Sequence, residues 1–379
     1  MAEGMARGKA DEKFASVREQ FEKNLQDGTD IGASFCVTKD GETIIDLWGG
    51  YADPEKTRPW EKDTIVNVYS TTKTMTALTA LYLSDKGLID FDAPVAEYWP
   101  EFSANGKEKV KVSHLMSHSS GVPGWTEPAP KEMLYDWDLA VSLLAAQAPL
   151  WEPGSAPGYH AMSQGYLVGE VIRRASGRTV GAVFREDIAE PLGADFHIGL
   201  PASEDHRVAD LQPPPAAGGG FSFETDVKKA AFANPPIEVS ETRTRAWRGA
   251  EIPAAGGTGN ARSVAEIHTI LANGGVSQGK RFLSEAGCRK ALECQVEGTD
   301  LVLDMPVRYG MGFGLSGPMS PALHDQAMFW GGYGGSIVLI DMAAHTTIAY
   351  AMNRMQGTTT GDMRAITLAA EVWQALGAA

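Results

Sequence analysis

VNVYSTTKTMTALTALYLSDKGLID, residues 66–90, decides how this chain reads. A short apolar, β-like run ends at Ser70-Thr71-Thr72-Lys73, and a helix-forming stretch follows as far as the stop signal Gly87. If Ser70 opens that helix, Lys73 lies one turn further along the same face. The spacing has a chemical use. A serine hydroxyl is a weak nucleophile and needs a base beside it. A lysine held close and partly desolvated gives up its proton more readily. The helix N-terminus adds N–H groups that favour a developing oxyanion. Taken alone, S-x-x-K more often marks an N-capping serine and a surface lysine, so other stretches have to decide.

Three stretches bear on it. In LWEPGSAPGYHAMSQGYLVGEVIRRASG (150–177), a Pro153-Gly154 turn precedes Tyr159, and an apolar helix starts near Gln164. This delivers a tyrosine on a loop above a helix, where it either packs or shuttles a proton. In FWGGYGGSIVLID (329–341), the glycines at 331, 332, 334 and 335 read as the start of an edge strand, which a ligand can approach closely. Its free N–H groups suit an oxyanion. In VKVSHLMSHSSGVPGW (110–125), His114 and His118 are four apart, but no H-E-x-x-H carboxylate or third ligand accompanies them. They read as structural histidines.

Working outward, ASFCVTKDGETIIDLWGG (33–50) is a hairpin around Asp40-Gly41. Ahead of it Phe14, Val17, Phe21 and Leu25 mark an amphipathic helix. FWGGYGGSIVLID and TTIAYAMNRM (346–355) read as a second strand pair, and Ile366, Ala369, Ala370, Trp373 and Leu376 line a last helix. The middle is helical and rich in Pro and Gly, with an irregular run PPPAAGGG (213–220). The economical architecture is an α/β domain (α+β type) from residues 1–87 and 256–379, with a mostly helical domain, 88–255, inserted and a cleft between them.

The chain has 379 residues, 43% of them hydrophobic and 21% charged, which excludes disorder and fibrous repeats. Its formal net charge of −15 disfavours nucleic acid and anionic membranes as partners. Three cysteines without CxxC spacing indicate neither a disulfide framework nor a zinc site, and no cofactor is called for. The N-terminal stretch has no apolar signal region, so a cytoplasmic protein is expected.

Together, S-x-x-K, L-x-S-H-x-S-G, P-G-x4-Y and a late W-G-G closely resemble the serine β-lactamase and penicillin-binding-protein superfamily. Within it the chain is most similar to the family VIII carboxylesterases, which resemble class C β-lactamases. LWGGYAD, DKGLIDFDAPVAEYWPEF, AEPLGADFHIGLP and ARSVAEIHTILANGG extend the likeness over nearly the whole chain. The resemblance implies a class C β-lactamase-like antiparallel sheet flanked by N- and C-terminal helices. It makes Ser70 the acylated nucleophile, with Lys73 and Tyr159 sharing the acid and base work. It gives the oxyanion to the N–H groups of Ser70 and Tyr333, and substrate contacts to Trp330, Gly331 and Gly332.

Two departures bear on substrate. The β-lactamases usually carry Lys-Thr-Gly where this chain has Trp330-Gly331-Gly332, and class C enzymes carry asparagine where it has Ala161. An indole in place of a cation suits neutral esters, so hydrolysis of small, short-acyl carboxylic esters is expected. A β-lactamase or D-amino-acid amidase is the alternative, and a silent binding protein a more distant one. Trp125, Tyr135, Trp151, Trp330 and Tyr333 are candidate pocket aromatics. Gly275-Val276-Ser277-Gln278-Gly279 matches G-x-S-x-G, with Asp341 and His345 as conceivable partners, but no strand-to-helix elbow surrounds it.

Overall fold

The Asp40-Gly41 dipeptide turns the chain tightly because both residues adopt positive φ, 52° and 86°. In the computed structural model, which describes residues 4–215, 223–318 and 320–377, this turn joins two long strands. The main-sheet strands are β1 (Arg7–Ala10), β2 (Gly32–Lys39), β3 (Glu42–Gly50), β4 (Val296–Thr299), β5 (Pro306–Tyr309), β6 (Gly314–Leu315), β7 (Ala327–Gly331), β8 (Ile337–Asp341) and β9 (Thr346–Met352). Among the described residues they form one antiparallel sheet in the order β1-β3-β2-β9-β8-β7-β6-β5-β4. The β2–β9 pairing, with Phe35 opposite Tyr350, joins the two ends of the chain.

Helices explain why the central strands are apolar on both faces. Those that matter here are α1 (Ala15–Gln26), α2 (Thr72–Asp85), α3 (Ser163–Ser176), α4 (Ala261–Ala272) and α5 (Met363–Leu376). Helix α4 packs on β2, β8 and β9, while α1 packs on α5 and β3. Strands β8 and β9 are buried at every position, as expected of strands covered from two sides. Helix α2 is buried nearly all round, the pattern of a central helix, and packs against α3. A small sheet pairs Thr258–Gly259 with both Val66–Asn67 and Phe196–His197, fixing the chain just before Ser70.

One expectation needs correction. Gly331 ends β7 instead of beginning a strand, and residues 332–335 form a turn into β8. Gly334 and Gly335 have φ of 102° and 125°, which breaks the extended run. Nor is β7 an edge strand: it lies between β6 and β8. Residues 216–220 of the expected PPPAAGGG loop lie outside the described residues. No described helix is long and apolar enough to cross a membrane.

Candidate active site

The turn that carries Ser70 is built before α2 begins. Tyr69 has φ 45°, a left-handed backbone that bulky residues rarely adopt. Asn67 supports it: its side-chain oxygen accepts the Tyr69 N–H at 3.2 Å and its amide donates to Ala255 O at 3.0 Å. Ser70 thus sits in a 3-10 turn, Tyr69–Thr71, that runs into the N-terminus of α2. Lys73, fully buried, donates to Ser70 Oγ at 3.0 Å, Ala161 O at 2.7 Å and Ala254 O at 3.0 Å. Burial, with no carboxylate among its partners, holds its ammonium well below the usual lysine range.

Tyr159 arrives from the loop before α3. Its Oη lies 2.5 Å from Ser70 Oγ, and its ring carries Lys73 Nζ 4.9 Å from the centroid. Burial pushes the phenol above its ordinary range; the Ser70 bond opposes this and the Asp300 charge adds to it. Two histidines brace the loop. The Gly158 N–H donates to His118 O at 2.8 Å. His118 Nδ1 accepts the His160 N–H at 3.1 Å. Burial lowers both imidazoles, His160 to about 3, so both are neutral at pH 7. Trp330 stacks on His118, ring centroids 5.1 Å apart and planes 13° apart. The His114–His118 pair is structural, and no described group of His, Cys, Asp or Glu has a metal-holding arrangement.

The turn after β7 is stapled to the Ser70 turn. Ser336 Oγ donates to Val68 O at 2.8 Å and lies 3.0 Å from Thr71 Oγ1. A Cβ on Gly332 would fall 2.1 Å from Val68 O, so only glycine permits this approach. The Tyr333 ring meets Tyr69 edge-on at 5.6 Å. Among the described residues the Tyr333 N–H has no backbone acceptor. From α5, Arg364 donates to Gly334 O at 2.9 Å and to the buried Asp30 at 2.8 Å, holding the turn from behind.

Two chambers meet at Tyr159. One, of about 920 Å³ including its mouth, contains Ser70, Tyr69, Phe232, Trp247 and Tyr333. The other, of about 620 Å³, is walled by Leu303, Met305, Val307, Phe329, Trp330 and Gly331. Gly332 packs on Val68 and lines neither. Trp125, Tyr135 and Trp151 also line neither chamber. Trp125 is core and donates to Ala140 O, Tyr135 donates to Glu241, and Trp151 donates to Ala156 O. Sequence reasoning missed Asn67, Ser336, Asp300 and Arg364, which carry no motif. Ser277 lies elsewhere, in a small hairpin, bonded to Glu266 O. Its conceivable partners are engaged apart from it: Asp341 pairs with His324, and His345 bonds Ala272 O.

The profile of the family described as Beta-lactamase matches residues 18–371. The chain belongs to the beta-lactamase family. Among curated members of similar sequence, the esterase/beta-lactamase LipL of Mycobacterium tuberculosis (strain ATCC 25618 / H37Rv) is 36% identical over 288 residues, covering 73% of this chain and 67% of that protein. Esterase EstB of Burkholderia gladioli is 33% identical over 216 residues, 52% of this chain and 54% of that protein. The crystal structure of a family VIII carboxylesterase superposes with a TM-score of 0.93 at 41% identity, covering 98% of this chain and 99% of the other. A penicillin-binding protein homolog from Caulobacter crescentus also gives 0.93, at 38% identity and the same coverage. Within the beta-lactamase family, then, this chain is a serine hydrolase on an antiparallel-sheet fold.

Proposed function

We propose that the chain is a serine carboxylesterase acting on small, short-acyl esters through an acyl-enzyme on Ser70. The observation that carries this is the contact of Ser70 Oγ with Lys73 Nζ at 3.0 Å and Tyr159 Oη at 2.5 Å, inside an apolar cleft. Ser70 attacks the ester carbonyl as Lys73, the group whose surroundings release a proton, takes the hydroxyl proton. The N–H groups of Ser70 and Tyr333 receive the oxyanion. Tyr159, kept as a phenol, donates to the leaving alcohol and is reprotonated by the Lys73 ammonium. Water then deacylates Ser70 through the same groups in reverse.

The acyl group occupies the chamber that holds Ser70 and Tyr333. The alcohol leaves past Tyr159 toward the chamber walled by Trp330 and Gly331. Among the described residues the one cation lining that chamber, Arg308, is paired with Asp325 at 3.1 Å and Glu297 at 3.6 Å. This disfavours substrates that need a free cation for a carboxylate. A second reading, β-lactam hydrolysis, is favoured by the double description of LipL as esterase and beta-lactamase.

Fluorophosphonate labelling and a panel of p-nitrophenyl esters beside a chromogenic cephalosporin test the proposal. Wild type and Ser277→Ala should label and hydrolyse short esters, and Ser70→Ala should do neither. A cephalosporin turned over faster than any ester would transfer the assignment to the second reading. Unchanged activity in Ser70→Ala would end both.

A further inference from the structure

Asp300 is fully buried on the loop between β4 and β5. Its Oδ1 accepts the N–H groups of Tyr159 at 3.1 Å, Val302 at 2.8 Å and Leu303 at 2.9 Å, and its Oδ2 accepts the Tyr309 hydroxyl at 3.1 Å. All four partners donate, so the site is shaped for a carboxylate and not for an acid that must itself donate. Among the described residues its hydrogen-bond partners are backbone N–H groups and a phenol, with no cation. An ionised carboxylate in this position is unusual without a counterion, and it faces the loop that carries Tyr159.

We propose that Asp300 is a positioning residue for acyl transfer: its carboxylate fixes the Tyr159 peptide so that the phenol meets Ser70, and its negative charge holds protons on the Ser70–Lys73–Tyr159 group. This rests on the acyl-enzyme reading above. Geometry and charge act through different features of one side chain, and they can be separated. The other titratable or charged groups facing this cluster are Ser70 from the turn before α2, Lys73 from α2, His118 and His160 from the neighbouring loops, and Tyr309 from β5. Both histidines are already neutral, Tyr309 is held protonated by burial, and the nearby Asp304 is paired with Lys228. Asp300 is therefore the anion of the cluster. Burial raises the Asp300 carboxyl above the usual carboxylate range, and the four donors oppose that rise.

The sign of the charge effect does not depend on whether Lys73 or Tyr159 is the base. A nearby anion favours the ammonium over the amine and the phenol over the phenolate. Removing it lowers the proton affinity of either group.

The test uses the full chain, with Asp300→Asn and Asp300→Ala assayed on p-nitrophenyl butyrate across the pH range. Asparagine keeps an acceptor for the three N–H groups and turns its amide toward the Tyr309 oxygen. Its near-UV circular dichroism and KM should match wild type, while the acid limb of kcat/KM moves down by about one pH unit. Alanine removes the acceptor and should lower kcat by about 10²-fold with KM little changed, as misplacement of a reacting group does. An Asp300→Asn profile that superimposes on wild type, or moves up, overturns the proposal. So does an Asp300→Asn chain that loses its native near-UV signal, because the carboxylate would then be a folding requirement. If Asp300→Ala does not fold, the asparagine profile decides. Fluorophosphonate labelling of wild type separates failure here from failure of the esterase reading: a labelled wild type with unaltered variants sinks only the role of Asp300.

Discussion

Tyr159→Phe deletes one oxygen from the centre of the site. The ring stays where it packs, with His118 at 5.2 Å, Trp330 at 6.1 Å and Phe232 at 6.2 Å between centroids. The lost interaction is the single contact of the hydroxyl with Ser70 at 2.5 Å. A hydrogen bond of that kind contributes about 0.5–1.5 kcal/mol to stability. For a chain of this length that is a shift of about 0.6–2 °C in Tm. The effect on rate should be far larger. Loss of a positioned acid or base costs about 10²–10⁴-fold in kcat, which corresponds to about 2.7–5.4 kcal/mol of barrier. KM should be nearly constant, since no wall of either chamber moves.

The two ends of that range belong to different leaving groups. A nitrophenolate departs without a proton, whereas an alkoxide needs one. Nitrophenyl butyrate should therefore suffer the smaller loss and ethyl butyrate the larger, with the ratio of the two penalties reporting proton donation directly. Both esters deliver the same acyl group, so deacylation is common to them, and single-turnover release of the alcohol isolates the first step. Equal penalties on both esters would refute Tyr159 as the acid. Near-normal kcat with a large fall in Tm would make the tyrosine a packing residue.

Lys73→Arg keeps the charge but cannot release a proton, so kcat/KM on short esters should fall by about 10³-fold or more while near-UV circular dichroism persists. Because burial lowers Lys73, wild-type kcat/KM should rise as pH climbs through a macroscopic pKa below the ordinary lysine range, and fall as acid protonates the base; a limb at the free-lysine value would contradict the assignment. The same lowered pKa means that the unfolded chain binds more protons than the folded one between the folded and free-lysine values. This group therefore adds stability as pH rises through that window. Gly332→Ala should reduce kcat by about 10²-fold, since its Cβ would meet Val68 O at 2.1 Å and push the Tyr333 turn off the Ser70 turn; stopped-assay kinetics with unchanged KM would check it, and full activity would remove Tyr333 from the oxyanion site.

Much of the fold is legible because local signals there agree with long-range pairing. Asp40-Gly41 forces its hairpin, and the apolar runs on either side of it form β2 and β3. Phe14, Val17, Phe21 and Leu25 mark a face that is buried. The proposed catalytic trio, which the structure brings together, is legible for a different reason: Ser70 and Lys73 are bound by helical spacing, and Tyr159 by resemblance. What escaped reading depends on contacts between distant segments. The glycines after Trp330 suggest a strand because an apolar run follows them, whereas Gly331 closes one strand and the positive φ of Gly334 and Gly335 turns the chain before the next. The edge strand β1 carries only four residues and is exposed or half-buried throughout, so it has no apolar signature. Trp125, Tyr135 and Trp151 looked like pocket aromatics because composition cannot say which way a ring faces. Asp300 and Arg364 are ordinary charged residues in sequence, and only tertiary packing buries them beside the two turns that matter.

The indole of Trp330 ties these observations to substrate choice. Its position is the one where β-lactamase relatives usually place a lysine, and here it stacks on a histidine that burial keeps neutral. Among the described residues no cation beyond Lys73 lies over the Tyr159 ring, and Asp300 accepts the Tyr159 N–H. A phenol between one partly neutral lysine and one carboxylate holds its proton. Such a tyrosine suits donation to a departing alkoxide better than abstraction from serine, which leaves Lys73 as the base. The same substitution leaves Tyr159 and Trp330 facing a chamber whose one cation among the described residues is already paired. Proton traffic and substrate charge are thus set by one feature. Where β-lactamases usually have a lysine that helps hold the substrate carboxylate, this chain has a neutral aromatic stack. Both consequences point toward neutral esters with poor, proton-requiring leaving groups.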